Sequence, residues 1–360
     1  MKLSSLGLFW LFCSNLYLTK IVSYSPVYFA FGILCGALLF CLVSGKIKVT
    51  LLGFTIFLLL QYVVFYQAPL VDLNVLANLI ITLNSSFLIV LFLNQGFIQK
   101  STLGFMVALL GLLFVLDGVW RFQNPYTENA VAWAKDNILF YQYKYTSFMY
   151  GDSNFLGLQA LALFCFFRFL MLHGVYFHKL VYPLLVLSII LTFSRASIIS
   201  MVFCEICYLY LIFQAGWVRS LVRIILVLLS GYAMFWLNVM LSSDASLLSK
   251  FSLVTLFLEA FSRADFIDIV TGVGIGNAVD VMGIGAHNFY IVAVLEGGII
   301  FASLFFILIT YLVATLRTYS VILVVPIMIN FFSLGTIAAP YILAYWFFGV
   351  MLVKGRLKVI

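Results

Sequence analysis

Long apolar runs follow one another along this chain with only short polar turns between most of them, and that leaves few folds open. A bilayer crossing needs roughly 17–25 apolar residues. Runs of about that kind fall at 3–22, 27–43, 50–66, 74–93, 102–120, 154–172, 180–193, 196–213, 220–240, 288–316, 319–334 and 337–353. The seventh is short, so 194–196 reads as a tight reversal. The tenth is long and reads as tilted or extended beyond the bilayer. The expectation is an all-α polytopic membrane protein with about twelve transmembrane helices, a single integral membrane domain over 1–360. Charged residues make up 9% of the chain, where a soluble domain carries about 25%, so no stretch can form a soluble domain. The start, Met1–Lys2, leads directly into an apolar run without a small-residue cleavage site, which predicts no cleaved signal peptide.

The net charge of +7 follows topology and gives no nucleic-acid footprint. With residue 1 on the cytoplasmic side, twelve of the 19 Lys and Arg fall inside, Arg168 among them, and seven fall outside, Arg121 among them. That bias predicts both termini in the cytoplasm. Two longer polar segments then face outward, 121–153 and 241–287. The first is rich in Trp133, Tyr141, Tyr143 and Tyr145. The second holds Lys250, Glu259, Arg263, Asp265 and Asp268, and its stretch 250–261 reads as an interfacial helix.

Chemistry-bearing residues concentrate in two places. In 271–300, Gly272, Gly274, Gly276 and Asn277 precede His287–Asn288 and then Glu296–Gly297–Gly298. Glycines let backbone N–H groups approach an anion, and His is the side chain suited to proton transfer near neutral pH. His287 reads equally as an interfacial cap of the next helix. No βαβ unit surrounds GVGIGN, so it is not a dinucleotide fingerprint. Nine residues separate Glu296 from His287, which puts them on opposite faces of one helix, so Glu296 reads as a packing or kink site. In the second place, Thr192–Phe193–Ser194–Arg195, Arg195 is either a snorkelling cation or an anion ligand. Glu205 sits ten residues deeper on the same run, as a functional carboxyl or as one bonded to a nearby Ser or Tyr. Asp152 and Asn154 read as an N-cap or a ligand contact. His173 and His178 mark a cytoplasmic turn. Cys13, Cys35, Cys41, Cys165, Cys204 and Cys207 lie in apolar runs and read as small buried side chains. No metal-ligand set emerges, and no cofactor is expected.

TFSR (192–195), GVGIGN (272–277), AHNFYIVAVLEGG (286–298) and the Asp152–Asn154 entry, in this order and spacing, resemble the bacterial O-antigen ligase/polymerase family over about 151–301. These are membrane glycosyltransferases acting on undecaprenyl-diphosphate-linked sugars. The resemblance implies a GT-C-like, metal-independent fold with a long outer loop before the tenth helix, a site on the periplasmic face of the bacterial inner membrane, Arg195 as a diphosphate ligand and His287 as the base. It also implies a second cation. The family's Arg falls at Lys250 here, a departure, and Arg263 is the other candidate. A chain-length regulator and a flippase are the implied partners beside membrane lipid. Within the family, a polymerase adds the glycan to a lipid-linked repeat unit, whereas a ligase transfers it to lipid A–core. The short aromatic outer loops favour the polymerase. A lipid-linked glycan flippase stays open as a different class, although no related halves are visible in the chain.

Overall fold

The computed structural model describes residues 3–22, 24–45, 73–135, 139–213, 216, 220, 224, 245–284, 287–334 and 339–360. The expected runs at 50–66 and, apart from 220 and 224, at 220–240 lie outside them. The rest is mostly helix: α1 (Leu3–Cys13), α2 (Pro26–Val43), α3 (Leu73–Leu93), α4 (Lys100–Gln123), α5 (Ala130–Lys135), α6 (Ser153–Leu172), α7 (Val181–Ile190), α8 (Arg195–Ile212), α9 (Ala245–Arg263), α10 (Phe266–Thr271), α11 (Ala278–Met282), α12 (Phe289–Leu316), α13 (Ser320–Leu323), α14 (Val325–Asn330) and α15 (Pro340–Val353). Among the described residues, α2, α4, α6, α8 and the stretch Phe289–Leu323 are long and apolar enough to cross a membrane. The all-α membrane class therefore stands.

The core is built around α6, whose residues Leu156–Leu170 are all buried. A helix that is apolar all round belongs inside a bundle. Helices α4, α7, α8, α13, α14 and α15 pack around it. Its one basic residue, Arg168, which the tally counts on the cytoplasmic side within the run 154–172, is buried in the bundle. It lies inside α6 and grips Glu205 of α8 with two bonds, Nε to Oε1 at 2.6 Å and Nη2 to Oε2 at 2.7 Å. Glu205 thus has an arginine partner and not the Ser or Tyr expected of it.

Three apolar runs depart from simple spans. The first is helical only to Cys13, 11 residues or roughly 16 Å, about half the hydrocarbon thickness. Asn15 ends it. Its amide donates back to Leu11 O, while Gln159 Nε2 donates to the Asn15 carbonyl at 2.6 Å and the Tyr345 hydroxyl to its Oδ1 at 3.0 Å. Irregular backbone at this depth survives because α6 and α15 satisfy it. The chain then runs on without helix and ties to the 124–153 segment, with Thr19 donating to Met149 O and Lys20 N–H to Phe148 O. The eleventh run is broken into α13 and α14, with Pro326 in the first turn of α14.

The tenth run, α12, is the largest departure. Gly298 has φ 69° and ψ −179°, far from helix. Sixteen residues of straight helix would put about 24 Å between Phe289 and Phe305, yet their rings lie 4.6 Å apart. Phe289 also shares one apolar cavity with Phe301, Phe305 and Leu308. So α12 is two arms, 289–297 and 299–316, folded back on each other at Gly298. It is not one tilted span.

The polar segments also carry structure. Helix α4 continues to Gln123, so Arg121 is a helical residue, buried beside Asp117. The expected interfacial helix falls within α9, which exposes Val254 and Leu258. One element has no counterpart in the sequence reading: β1 (Gly96–Ile98) pairs in parallel with β2 (Leu357–Val359).

Candidate active site

The site begins where α6 starts. Asp152 is the N-cap, its Oδ1 accepting the Asn154 N–H at 2.8 Å, while the Asn154 amide donates to Oδ2. Ser153 next to it donates to the Thr192 carbonyl at 2.8 Å. This joins the α6 entry to the TFSR turn between α7 and α8. Gly157 lets the turn come close, because a Cβ there would meet Ser194 and Ser197.

The turn is strained. Phe193 has φ 54°, a left-handed conformation uncommon for a bulky residue. The rings of Phe122, Phe140 and Tyr143 hold it, at 5.8, 6.0 and 6.3 Å between centroids. Strain of this kind costs about 1–3 kcal/mol and collects at functional sites. Behind these rings, Asp117 takes bonds from the Arg121 Nε at 2.8 Å, the Ser147 hydroxyl at 2.7 Å and the Phe148 N–H at 3.0 Å. Arg121 also donates to the Tyr143 carbonyl. Sequence reasoning did not single out Asp117. The i,i+4 Asp–Arg spacing inside an apolar run is the signal that marks it.

Arg195 opens α8, exposed at the helix N-terminus. Two residues on, buried Ser197 donates to Ser194 Oγ and accepts from the Asn330 amide at 2.9 Å. Asn330 ends α14. The next residue, Phe331, accepts the Phe289 N–H at 2.9 Å through its carbonyl and stacks on the Phe289 ring at 4.4 Å. The Tyr290 hydroxyl adds a bond to Met328 O. His287 is two residues before Phe289, exposed, and Asn288 caps the arm by accepting from the Tyr290 and Ile291 N–H groups. Adjacent residues at the C-terminal end of α14 therefore anchor the Ser197 side chain just beyond Arg195 and the Phe289 backbone just beyond His287. Asp152, Arg195 and His287, far apart in sequence, share one end of the bundle. Asn330→Ala is expected to loosen this link and lower stability by about 1–2 kcal/mol, read as a fall in thermal midpoint in detergent.

The glycine loop lies at the other end of the first arm. Val273 N–H donates to Leu295 O at 2.9 Å and Gly274 N–H to Glu296 O at 3.2 Å. The Glu296 carboxylate accepts from Ala278 N–H at 3.2 Å and from Gly276 N–H. The anion that these amides meet is the protein's own, and Asn277 turns its amide back to Val273 O. Gly272 packs backbone to backbone on Glu296–Gly298. Arg263 also belongs to this end. It is 79% exposed, 3.7 Å from Glu259, and lines a cleft of ≈ 320 Å³ with Asp268 and Val273. Val273 bonds Leu295, eight residues or roughly 12 Å along the arm from His287, so the structure does not group Arg263 with Arg195 and His287. Lys250 is on α9, thirteen positions before Arg263, and its side chain lies outside the described residues, as does that of Trp133.

Among the described residues, no three His, Cys, Asp or Glu gather as a metal set. Cys204 is buried with its thiol toward Ile322 O, and Cys207 is half-buried. Compared with known proteins, the chain matches no family model and no curated sequence.

Proposed function

We propose that the chain is a membrane glycosyltransferase of polysaccharide assembly: an O-antigen or exopolysaccharide polymerase that moves a glycan from undecaprenyl diphosphate to a lipid-linked repeat unit. One observation carries this reading. The Ser197–Asn330 and Phe331–Phe289 bonds seat a guanidinium and an imidazole at one end of the bundle. Arg195 holds the diphosphate through its planar fork. His287 takes the proton from the acceptor hydroxyl. That oxygen bonds the anomeric carbon, and the bond from carbon to diphosphate breaks, its electron pair leaving on the diphosphate, where cations offset the charge. Lys250 or Arg263 is the candidate for the second cation. The leaving group needs no further activation, so the reaction as proposed uses no cofactor.

The reading includes about twelve spans in a GT-C-like arrangement, the bacterial inner membrane, both termini cytoplasmic and the site facing the periplasm. It also includes a chain-length regulator and a flippase as partners. Its support is that Lys100, Arg317 and Lys354 stand at the opposite end of the bundle from Arg195, as the positive-inside bias requires. The flippase reading would draw on the unwound backbone at Asn15, but Asn15, Gln159 and Tyr345 bond one another there.

The test is complementation of a strain lacking this gene with His287→Ala at matched membrane levels, with lipopolysaccharide displayed on a gel. Loss of a general base lowers turnover by roughly 10²–10⁴, so the ladder is expected to collapse to core plus one repeat unit. Polymer that accumulates on the lipid carrier and never reaches core identifies a ligase. An unchanged ladder removes His287 from the chemistry.

A further inference from the structure

The end of the bundle remote from the site carries a second organised surface. The β1–β2 ladder is continued by Ile360 N–H donating to Ile98 O and Lys100 N–H to Ile360 O, at 3.0 and 2.8 Å. The register sets Phe97 opposite Lys358. Side chains alternate along a strand, and here Ile98 and Leu357 turn inward while Phe97 and Lys358 turn outward. The outer face of this clip is thus an aromatic ring beside an ammonium.

Cations ring the clip. Lys354 and Arg356 precede β2 and are exposed, and Lys354 Nζ donates to the Tyr311 hydroxyl at 3.0 Å while lying 5.0 Å from the centre of its ring. Arg317, exposed, directly follows α12, six residues after Tyr311. Lys179 is exposed two residues after Phe177, which packs on Gly104 one turn beyond Lys100. The described carboxylates lie elsewhere. Asp117 and Asp152 are at the far ends of α4 and α6, Glu205 is on Arg168, and the others are in 124–153 and 245–296. Positive charge with no described side-chain carboxylate beside it, next to an outward aromatic ring held on a rigid ladder, is the pattern of a surface that meets both phosphate and acyl chain.

We propose that this face docks anionic phospholipid. The clip lies in the headgroup layer with Phe97 against acyl chains, and Lys354, Arg356 and Lys358 on the phosphates. This assignment does not depend on the reaction proposed above.

The experiment compares the full chain with the K354Q/R356Q/K358Q variant, each extracted from bilayers of equal phosphatidylglycerol and phosphatidylcholine, with retained lipid counted by native mass spectrometry. The wild type is expected to retain phosphatidylglycerol preferentially. Each surface cation contributes a few-fold to such selectivity, so the variant is expected to lose it by roughly one to two orders of magnitude. The three side chains are exposed, so the thermal midpoint stays near wild type. F97A, which leaves every charge in place, is expected to release both lipids more readily. Equal retention of the two lipids by wild type overturns the proposal, as does a variant as selective as wild type. Displacement of phosphatidylglycerol by inorganic diphosphate at millimolar concentration also overturns it, because the surface would then read free phosphate.

Discussion

Gly298→Ala is expected to leave little folded protein in the membrane. The φ of 69° with ψ near 180° belongs to a region open in practice only to glycine. Gly272, facing it, is in the same region at φ 84° and ψ 162°. A methyl group on Gly298 would drive into Val270 O and Gly272 N, and one on Gly272 into the Glu296 carbonyl. These obstacles are main-chain atoms and cannot rotate away. Strain and overpacking together cost about 2–6 kcal/mol, against a typical total of roughly 5–15. The readout is monodisperse yield in detergent and thermal midpoint. Gly276→Ala is the control: φ is 92°, but nothing lies within 4 Å of its would-be Cβ, so only the strain of about 1–2 kcal/mol applies. Equal losses at Gly298 and Gly276 would show that the contact between loop and arm is not what holds this region.

Arg168→Ala is the second large effect, expected to cost about 3–5 kcal/mol because it strands the Glu205 carboxylate inside the bundle. The guanidinium is also packed 4.1 Å from the Tyr208 ring centre and 4.5 Å from that of Tyr182. Arg168→Lys is expected to fall between, since an ammonium cannot make the two-pronged contact. Replacing both partners, Arg168→Met with Glu205→Leu, is expected to recover most of the loss, because no unpaired charge remains. Thermal midpoints of wild type, Arg168→Met, Glu205→Leu and the double variant close a double-mutant cycle, and a coupling near zero would mean that the pair does not hold α6 to α8.

These two regions also mark where the sequence could be read and where it could not. Hydropathy sums along the chain and shows that 288–316 is apolar enough to span, and Glu296–Gly298 reads as a packing or kink site, but nothing local shows that the chain turns back on itself there. The same blindness hides the stop at Asn15, where the reason for unwinding is supplied by Gln159 and Tyr345 from distant helices. A linear tally registers Arg168 only as a cytoplasmic-side charge within a run, and its pairing with Glu205 from α8 is not visible there. The β clip pairs residues 261 positions apart. By contrast, the cap at Asp152 is local and residue type alone points to it, whereas the cap before Phe289 is Asn288 and not His287, to which the sequence reading assigns it. The candidate site falls between these cases. Arg195, His287 and Asp152 stand out as residue types at run ends, but their meeting depends on Asn330 and Phe331, which nothing in the sequence singles out.

The clasp between Gly272–Gly274 and Leu295–Gly298 has a consequence for how this protein can vary. Its bonds join amides to carbonyls, and no side-chain shape enters them except the Glu296 carboxylate. Val273 and Leu295 can therefore exchange for other apolar residues, and the solvent-facing positions of α10 and α11 can drift widely, without opening it. Tolerance to mutation should be broad across the segment and should drop abruptly at the two glycines that touch, leaving a sharp pair of intolerant positions in an otherwise permissive stretch.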